Sequence, residues 1–428
     1  MWGRKRIRMP CRILIASLLI QNPTSAVDDG AAGEPVARRT RSRLRAAAAA
    51  LDRLPEEIVA GEIFVRLPTK DVLRCRAVCR SWRRLASAPD FLLAHHRWQP
   101  SLPLIAFHRR IASSSTESGQ PILEGGRARP VLGLDDYFDK NGFKLHASCD
   151  GLLLLAMSDG RFSICNPATR ECASLLGLTT AGSINILALY LHRPLGEYCV
   201  LYLKGGHHFK ATACYIFTVR RRGSPRCIGV PCTPIMEKPI LAGHKMTHIS
   251  LSPLFVFRNC LHWLPGWWLC DDGIVVFDTV AESFRSIRGP SGATSCCTRL
   301  CDMEGSIGFS CLDEKGIVAR IWVLEDYERE VWSFKCHVKF PVEDFSHFTD
   351  TQHFILSCKG DVLVYNTSAC YMFHCDNTGK LLEEFPWEPT SQDLHVIGHM
   401  FKESLVEHEF FLRRGPARAE QPSFFQRI

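Results

Sequence analysis

Twenty cysteines and seventeen histidines are the side chains of this sequence best suited to chemistry, and their spacing limits what they can do. No C-x-x-C pair occurs. Cys75/Cys79, Cys296-Cys297/Cys301 and Cys370/Cys375 are among the tightest groups, and no second Cys or His pair follows Cys75/Cys79 at the spacing of a zinc finger. No metal and no other cofactor is expected. His207-His208, beside Gly205-Gly206, reads as a solvated turn. Nucleophilic and phosphate-handling signatures are missing as well: there is no G-x-x-x-x-G-K-[ST] loop, no H-E-x-x-H helix and no G-x-S-x-G elbow. No catalytic residue is assigned. Cys149, Cys165, Cys199, Cys214, Cys260, Cys311 and Cys358 lie in apolar, strand-like runs, where a free thiol acts as a small buried hydrophobe. That usage fits a reducing compartment.

One aromatic cluster could recognise a ligand. Trp263, Trp267 and Trp268 surround Pro265-Gly266, and aromatic rings on such a loop suit peptide or sugar contacts. Trp267 and Trp268 are the candidate target-binding residues; Trp263 reads more readily as core.

The elements that must position these residues fall into two kinds. At 428 residues, with 46% hydrophobic and 22% charged side chains, the chain has the composition of a soluble globular protein with two domains and a tail. Most of its net charge of +8 comes from residues 1–50, which hold ten Lys or Arg against three acids. The near-neutral remainder lacks the electrostatic footprint of a nucleic-acid binder. Residues 1–26 loosely copy a secretory signal, but the apolar run 13–20 is too short to cross a bilayer. Short basic runs at residues 3–6 and 38–41 admit a nuclear-localisation reading or a simple solvated tail. Cytoplasm, nucleus or both are the expected locations, with no membrane partner.

Residues 54–96 carry helical periodicity: Val59, Ile63 and Leu67 are four apart, and Val78, Trp82 and Leu85 fall at i, i+4 and i+7. Pro55 suits a first helical turn, Pro68 ends that helix, and Thr69 can cap the next, with Asp71 in its first turn. Three short helices in about 45 residues cannot enclose a sufficient core. Such a unit is expected to bury its apolar face on a partner.

The Leu54-Pro55 pair, the run 62–68 (EIFVRLP) and the block 73–82 (LRCRAVCRSW) together resemble the F-box in its plant form. One extra residue stands before Glu62 in the first helix. The resemblance implies docking onto a Skp-type adaptor and, through it, a cullin-RING ubiquitin ligase. It assigns adaptor binding to Leu54, Pro55, Ile63, Leu67, Pro68, Leu73, Val78, Cys79 and Trp82.

Beyond about residue 100 the sequence reads as strands. A plan of strand, tight turn, strand ending in Asn or Asp, turn and strand recurs. Its anchors are Asn166, Asp278, Asp326 and Asn366, with room for a degenerate unit around residues 215–220. Spacing of about 40 to 50 residues is blade-like. A β-propeller is expected, with a β-sandwich as its rival.

The phrases 148–154 (SCDGLLL), 165–170 (CNPATR), 261–264 (LHWL), 274–278 (IVVFD), 322–327 (WVLEDY) and 403–406 (ESLV) resemble, in this order, the F-box-associated region of plant F-box proteins. That region is kelch-like and presents substrates. The expected division is a disordered basic segment at 1–50, an F-box at 51–98, an all-β domain at 101–410 and a disordered tail at 411–428. The resemblance implies a substrate receptor of an SCF-type ubiquitin ligase, a non-catalytic subunit holding an unknown protein target. An adaptor-binding scaffold without a role in degradation is the alternative, and a secreted lectin-like protein a distant third.

Overall fold

The computed structural model describes residues 11–15, 55–108, 129–134, 143–157, 159–179, 183–205, 211–220, 224–229, 254–264, 273–293, 298–303, 305–313, 317–340, 351–355, 361–366, 371–378, 380–386 and 393–411. The basic linker, Cys358, Trp267, Trp268 and the tail beyond 411 lie outside them.

The helical unit begins at Pro55 with α1 (Glu56–Ile58), whose two glutamates sit where the helix dipole favours acids. The helix then widens into a π turn, Val59–Ile63, and tightens into a 3-10 turn, Phe64–Arg66. A residue inserted into a regular helix rotates every later side chain by about 100°. A single wide turn absorbs it, and this one holds the extra residue before Glu62. Val59, Phe64 and Val65 still enter one core.

Three further helices follow: α2 (Thr69–Cys75), α3 (Arg80–Leu85) and α4 (Pro89–Trp98). Two local expectations change. Thr69 does not cap α2. Pro68 holds that position, and Thr69 is the buried first residue of the helix. Val78, spaced in line with Trp82 and Leu85, does not share their helix: the run 73–82 is divided between α2 and α3. Cys79 caps α3, its sulfur accepting the Trp82 N–H at 3.4 Å.

The rest of the described chain is antiparallel sheet. One four-stranded sheet has the order β24-β2-β1-β3, built from β1 (Cys11–Ile15), β2 (Leu102–His108), β3 (Arg129–Leu134) and β24 (Asp393–Phe401). Cys11–Ile15, expected in a disordered segment, is thus a strand between β2 and β3. The other sheets are five consecutive meanders. The first contains β4 (Phe143–Cys149), β5 (Leu152–Met157), β6 (Arg161–Asn166) and β7 (Glu171–Thr179). The second contains β8 (Ser183–His192), β9 (Glu197–Gly205), β10 (Ala211–Thr218) and β11 (Pro225–Gly229). The third runs through β12 (Phe255–Phe257), β13 (Cys260–Trp263), β14 (Ile274–Asp278) and β15 (Ser283–Ile287). In the fourth are β16 (Thr298–Met303), β17 (Ser306–Leu312), β18 (Val318–Asp326) and β19 (Val331–Lys339). The fifth has β20 (Thr351–Ile355), β21 (Val362–Asn366), β22 (Tyr371–Cys375) and β23 (Leu381–Pro386).

Edge strands of neighbouring sheets pack on one another: β4 beside β8 and β24, β16 beside β12 and β20. Separate clusters of buried side chains fill the gaps between sheets one and two, two and three, three and four, and four and five. Strand β14 shows why these segments read as continuous apolar runs. Val275 and Phe277 point into one gap, Ile274 and Val276 into the next, so both faces are covered. This is a five-blade propeller arrangement, with the sheet that holds β1 and β24 packed beside its first blade. It is not a sandwich of two facing sheets.

The repeat visible in the sequence is a turn between third and fourth strands. The carboxamide of Asn166 accepts from the N–H groups of Ala168 and Thr169. The carboxylates of Asp278 and Asp326 accept likewise from Val280 and Ala281, and from Glu328 and Arg329. Four residues after each anchor the backbone turns left-handed, at Arg170, Glu282 and Glu330. In the fifth blade the matching anchor is Asp376, which accepts from Thr378 and Lys380. Asn366 instead ends the second strand of that blade. The degenerate unit is the second blade, whose third strand is β10.

The cysteine expectation holds for most positions. Cys199, Cys214 and Cys260 are free and buried, Cys311 is buried, and Cys149 is free and partly buried. Cys165 differs. The β6–β7 register places it directly opposite Cys172, and the two form a disulfide.

Candidate functional site: the helical docking face

Phe64 is the centre of the helical unit. Its ring meets Trp82 edge to face at 4.9 Å and Phe91 at 6.4 Å, and Val72, Ala86 and Leu92 close around it. His95 is fully buried, with Nε2 2.9 Å from the Leu67 carbonyl oxygen that ends the first helix. Burial holds its pKa below the usual imidazole value, so the ring is neutral and donates to that carbonyl. Gln99 donates to the same oxygen at 3.2 Å. On the outside, Glu56 accepts from Ser81 and Arg84, each at 2.7 Å, tying α1 to α3. Those hydrogen bonds hold its carboxyl below the ordinary glutamate value.

The residues assigned to adaptor binding divide into two sets. Ile63, Leu67 and Trp82 are half-buried and pack on the unit's own core. Pro55, Pro68, Leu73, Val78 and Cys79 are exposed, with Leu73 at 38% and Val78 at 63% of full accessibility. Leu54 lies outside the described residues. The exposed set is the part free to meet a partner. Val78 was placed in line with Trp82 and Leu85 by its spacing. The break between α2 and α3 turns it outward instead. Ile58 and Trp98, 43% and 60% exposed, are further exposed apolar residues of the unit and were not anticipated. The Arg66 guanidinium lies 5.3 Å from the Trp98 ring centroid, a spacing suited to cation–π attraction.

Of the aromatic cluster, Trp263 is buried in the gap between the second and third blades and meets Phe284 edge to face. That matches its core reading. Trp267 and Trp268 lie outside the described residues. Among the described residues, no three metal-ligating side chains converge, and no helix is long and apolar enough to cross a membrane.

One core residue of the helical unit comes from the phrase 403–406, which the resemblance assigns to the β domain. Leu405, beyond the last propeller strand, is buried among Val59, Phe64 and Phe91.

A family model described as F-box-like matches residues 51–96, and one described as F-box associated beta propeller domain matches residues 135–385. The chain is 24% identical over 306 residues to F-box protein At5g49610 of Arabidopsis thaliana, covering 65% of this chain and 77% of that one. It is 22% identical over 376 residues to the putative F-box/kelch-repeat protein At1g15680 of the same plant, covering 83% and 86%. Among solved structures, AztD of Citrobacter koseri matches at 13% identity with a TM-score of 0.35, covering 69% of this chain and 83% of that one. With exposed apolar helices set beside a propeller, and with the propeller model spanning more than half its length, the chain belongs to the plant F-box proteins that carry an F-box-associated β-propeller domain.

Proposed function

We propose that this chain is the substrate-receptor subunit of an SCF-type ubiquitin ligase, working in the cytoplasm, the nucleus or both. The F-box docks on a Skp-type adaptor, and the propeller holds a protein target. The observation that carries the reading is the exposed apolar surface of Leu73 and Val78 on a helical unit that already has its own core. Side chains of that kind gain from burial on a partner at about 25 cal/mol per Å², and helix-in-groove docking is the corresponding mode. The chain itself supplies no step of ubiquitin transfer. It raises the effective concentration of the target beside the charged enzyme.

Reconstitution tests this. The full chain, a Skp-type adaptor, a cullin and its RING subunit should co-purify as one complex. Leu73→Asp combined with Val78→Asp should release the chain and leave the remaining subunits assembled. A wild-type chain that is folded yet excluded from the complex would overturn the reading.

A further inference from the structure

The F-box does not close its core with its own residues. After β24 the chain runs back over the helices, and residues 402–411 touch both domains. On the F-box side, Leu405 is buried with Val59, Phe64, Val65, Val72, Phe91 and Leu92, while Val406 packs at the margin. The Lys402 ammonium donates to the Arg97 carbonyl oxygen at 2.9 Å, and His96 Nδ1 lies 3.0 Å from the carbonyl oxygen of Glu403. Both contacts fasten the end of α4.

On the propeller side, the buried Asn166 carboxamide donates to the Ser404 carbonyl oxygen at 3.1 Å. Gly151 sits so close that a Cβ there would lie 2.5 Å from the Ser404 Cβ. Phe410 and Phe411 pack on the core shared by the first two blades, and Tyr198 meets His408 edge to face. The first blade also reaches the F-box directly: Ala168, in the turn that Asn166 anchors, packs against its core.

We propose that residues 402–411 are an intramolecular clamp that makes the F-box depend on the finished propeller. Leu405 follows β24 by only four residues, and β24 is the strand that joins the last part of the chain to β2. A chain that has not placed β24 cannot place Leu405, and its F-box lacks a core residue. A unit of about 45 residues is marginal even when its core is complete. A stable docking face is therefore presented only by a molecule that has placed the last strand of its target-holding domain, and at a fixed angle to it. The consequence for docking rests on the adaptor reading above; the packing does not.

Hydrogen exchange on the full chain tests the clamp. In Leu405→Asp, amides of α1 through α4 should exchange on the order of tenfold faster or more, because a buried anchor is lost. Amides of β9, β14 and β17, remote from the clamp, should keep their wild-type rates, and adaptor capture should weaken in parallel. Leu405→Ala, a milder change, should speed the same helical amides selectively. Wild-type F-box protection in both variants, or equal loss over F-box and propeller in both, would overturn the clamp. A wild-type chain that captures no adaptor would instead sink the functional reading, and the exchange result would still decide the clamp.

Discussion

Trp82 lies edge to face with Phe64, ring centroids 4.9 Å apart and planes at 76°, so the tryptophan that marks the F-box in the sequence is half committed to holding the F-box together. A substitution there removes internal packing as well as any partner contact. Trp82→Ala should destabilise the helical unit by ~2–4 kcal/mol, the range for a large aromatic that is not fully enclosed. Denaturant titration followed by exchange of α4 amides would measure it, and unchanged protection would show that the ring does not support the core.

Val78 separates docking from folding. It is exposed and lies between α2 and α3, so Val78→Asp should change stability by no more than ~0.5 kcal/mol. Adaptor affinity should nevertheless fall by about tenfold or more, as an anchor of an apolar contact is replaced by a charge. Paired thermal melts and binding titrations would resolve the two effects.

Gly151 occupies a two-residue turn between β4 and β5 with φ +84°, beside Asp150 at φ +49°. Most side chains avoid that conformation. Here the space is also taken, by Ser404 and the Lys402 carbonyl. Gly151→Ala should cost more than about 1 kcal/mol and should loosen residues 402–411 first. Exchange rates at Val406 and at the α4 amides would reveal it.

His262 should make the propeller sensitive to acid. It is fully buried, with Nε2 2.8 Å from the Tyr327 hydroxyl and Nδ1 3.3 Å from the Phe255 carbonyl oxygen. A neutral ring satisfies both, donating from Nδ1 and accepting from tyrosine. Burial pushes its pKa down to about 4. Between the ordinary histidine value near ~6.5 and that lower one, the unfolded chain binds a proton that the folded chain refuses. Its contribution is therefore full above the upper value and is lost as pH falls through the window. His146, His399 and His408 are pushed down to about 4 by burial as well. Urea midpoints at neutral and mildly acid pH should show stability falling by up to about 2 kcal/mol for His262 alone. His262→Gln should flatten that part of the profile.

What the sequence disclosed was local. The Asn166, Asp278 and Asp326 turns were legible because an Asx side chain closes a turn within four residues of itself. Leu73–Arg74–Cys75 and Ser81–Trp82 were legible because they sit in one short run. Distances along the chain hid the rest. Leu405 belongs to the phrase 403–406 that reads as part of the β domain, and only the path of residues 402–411 makes it part of a core formed by residues 59–92. Asn366 and Asp376 are both strand-end polar residues, and strand pairing alone tells which one begins the turn between third and fourth strands. Cys165 lay in an apolar run that suited a free thiol; the register that sets it opposite Cys172 follows from how the β6–β7 hairpin closes. The split between α2 and α3 was masked by apolar spacing that stays periodic across the break.

The claim that an exposed F-box surface docks this propeller protein on a ligase adaptor is tested most directly by calorimetric titration of a Skp-type adaptor into the full chain, wild type beside Val78→Asp. Saturable binding by wild type, weakened at least about tenfold in an equally stable variant, is the predicted result. No heat of binding from folded wild type, or equal affinity in the two proteins, would contradict it.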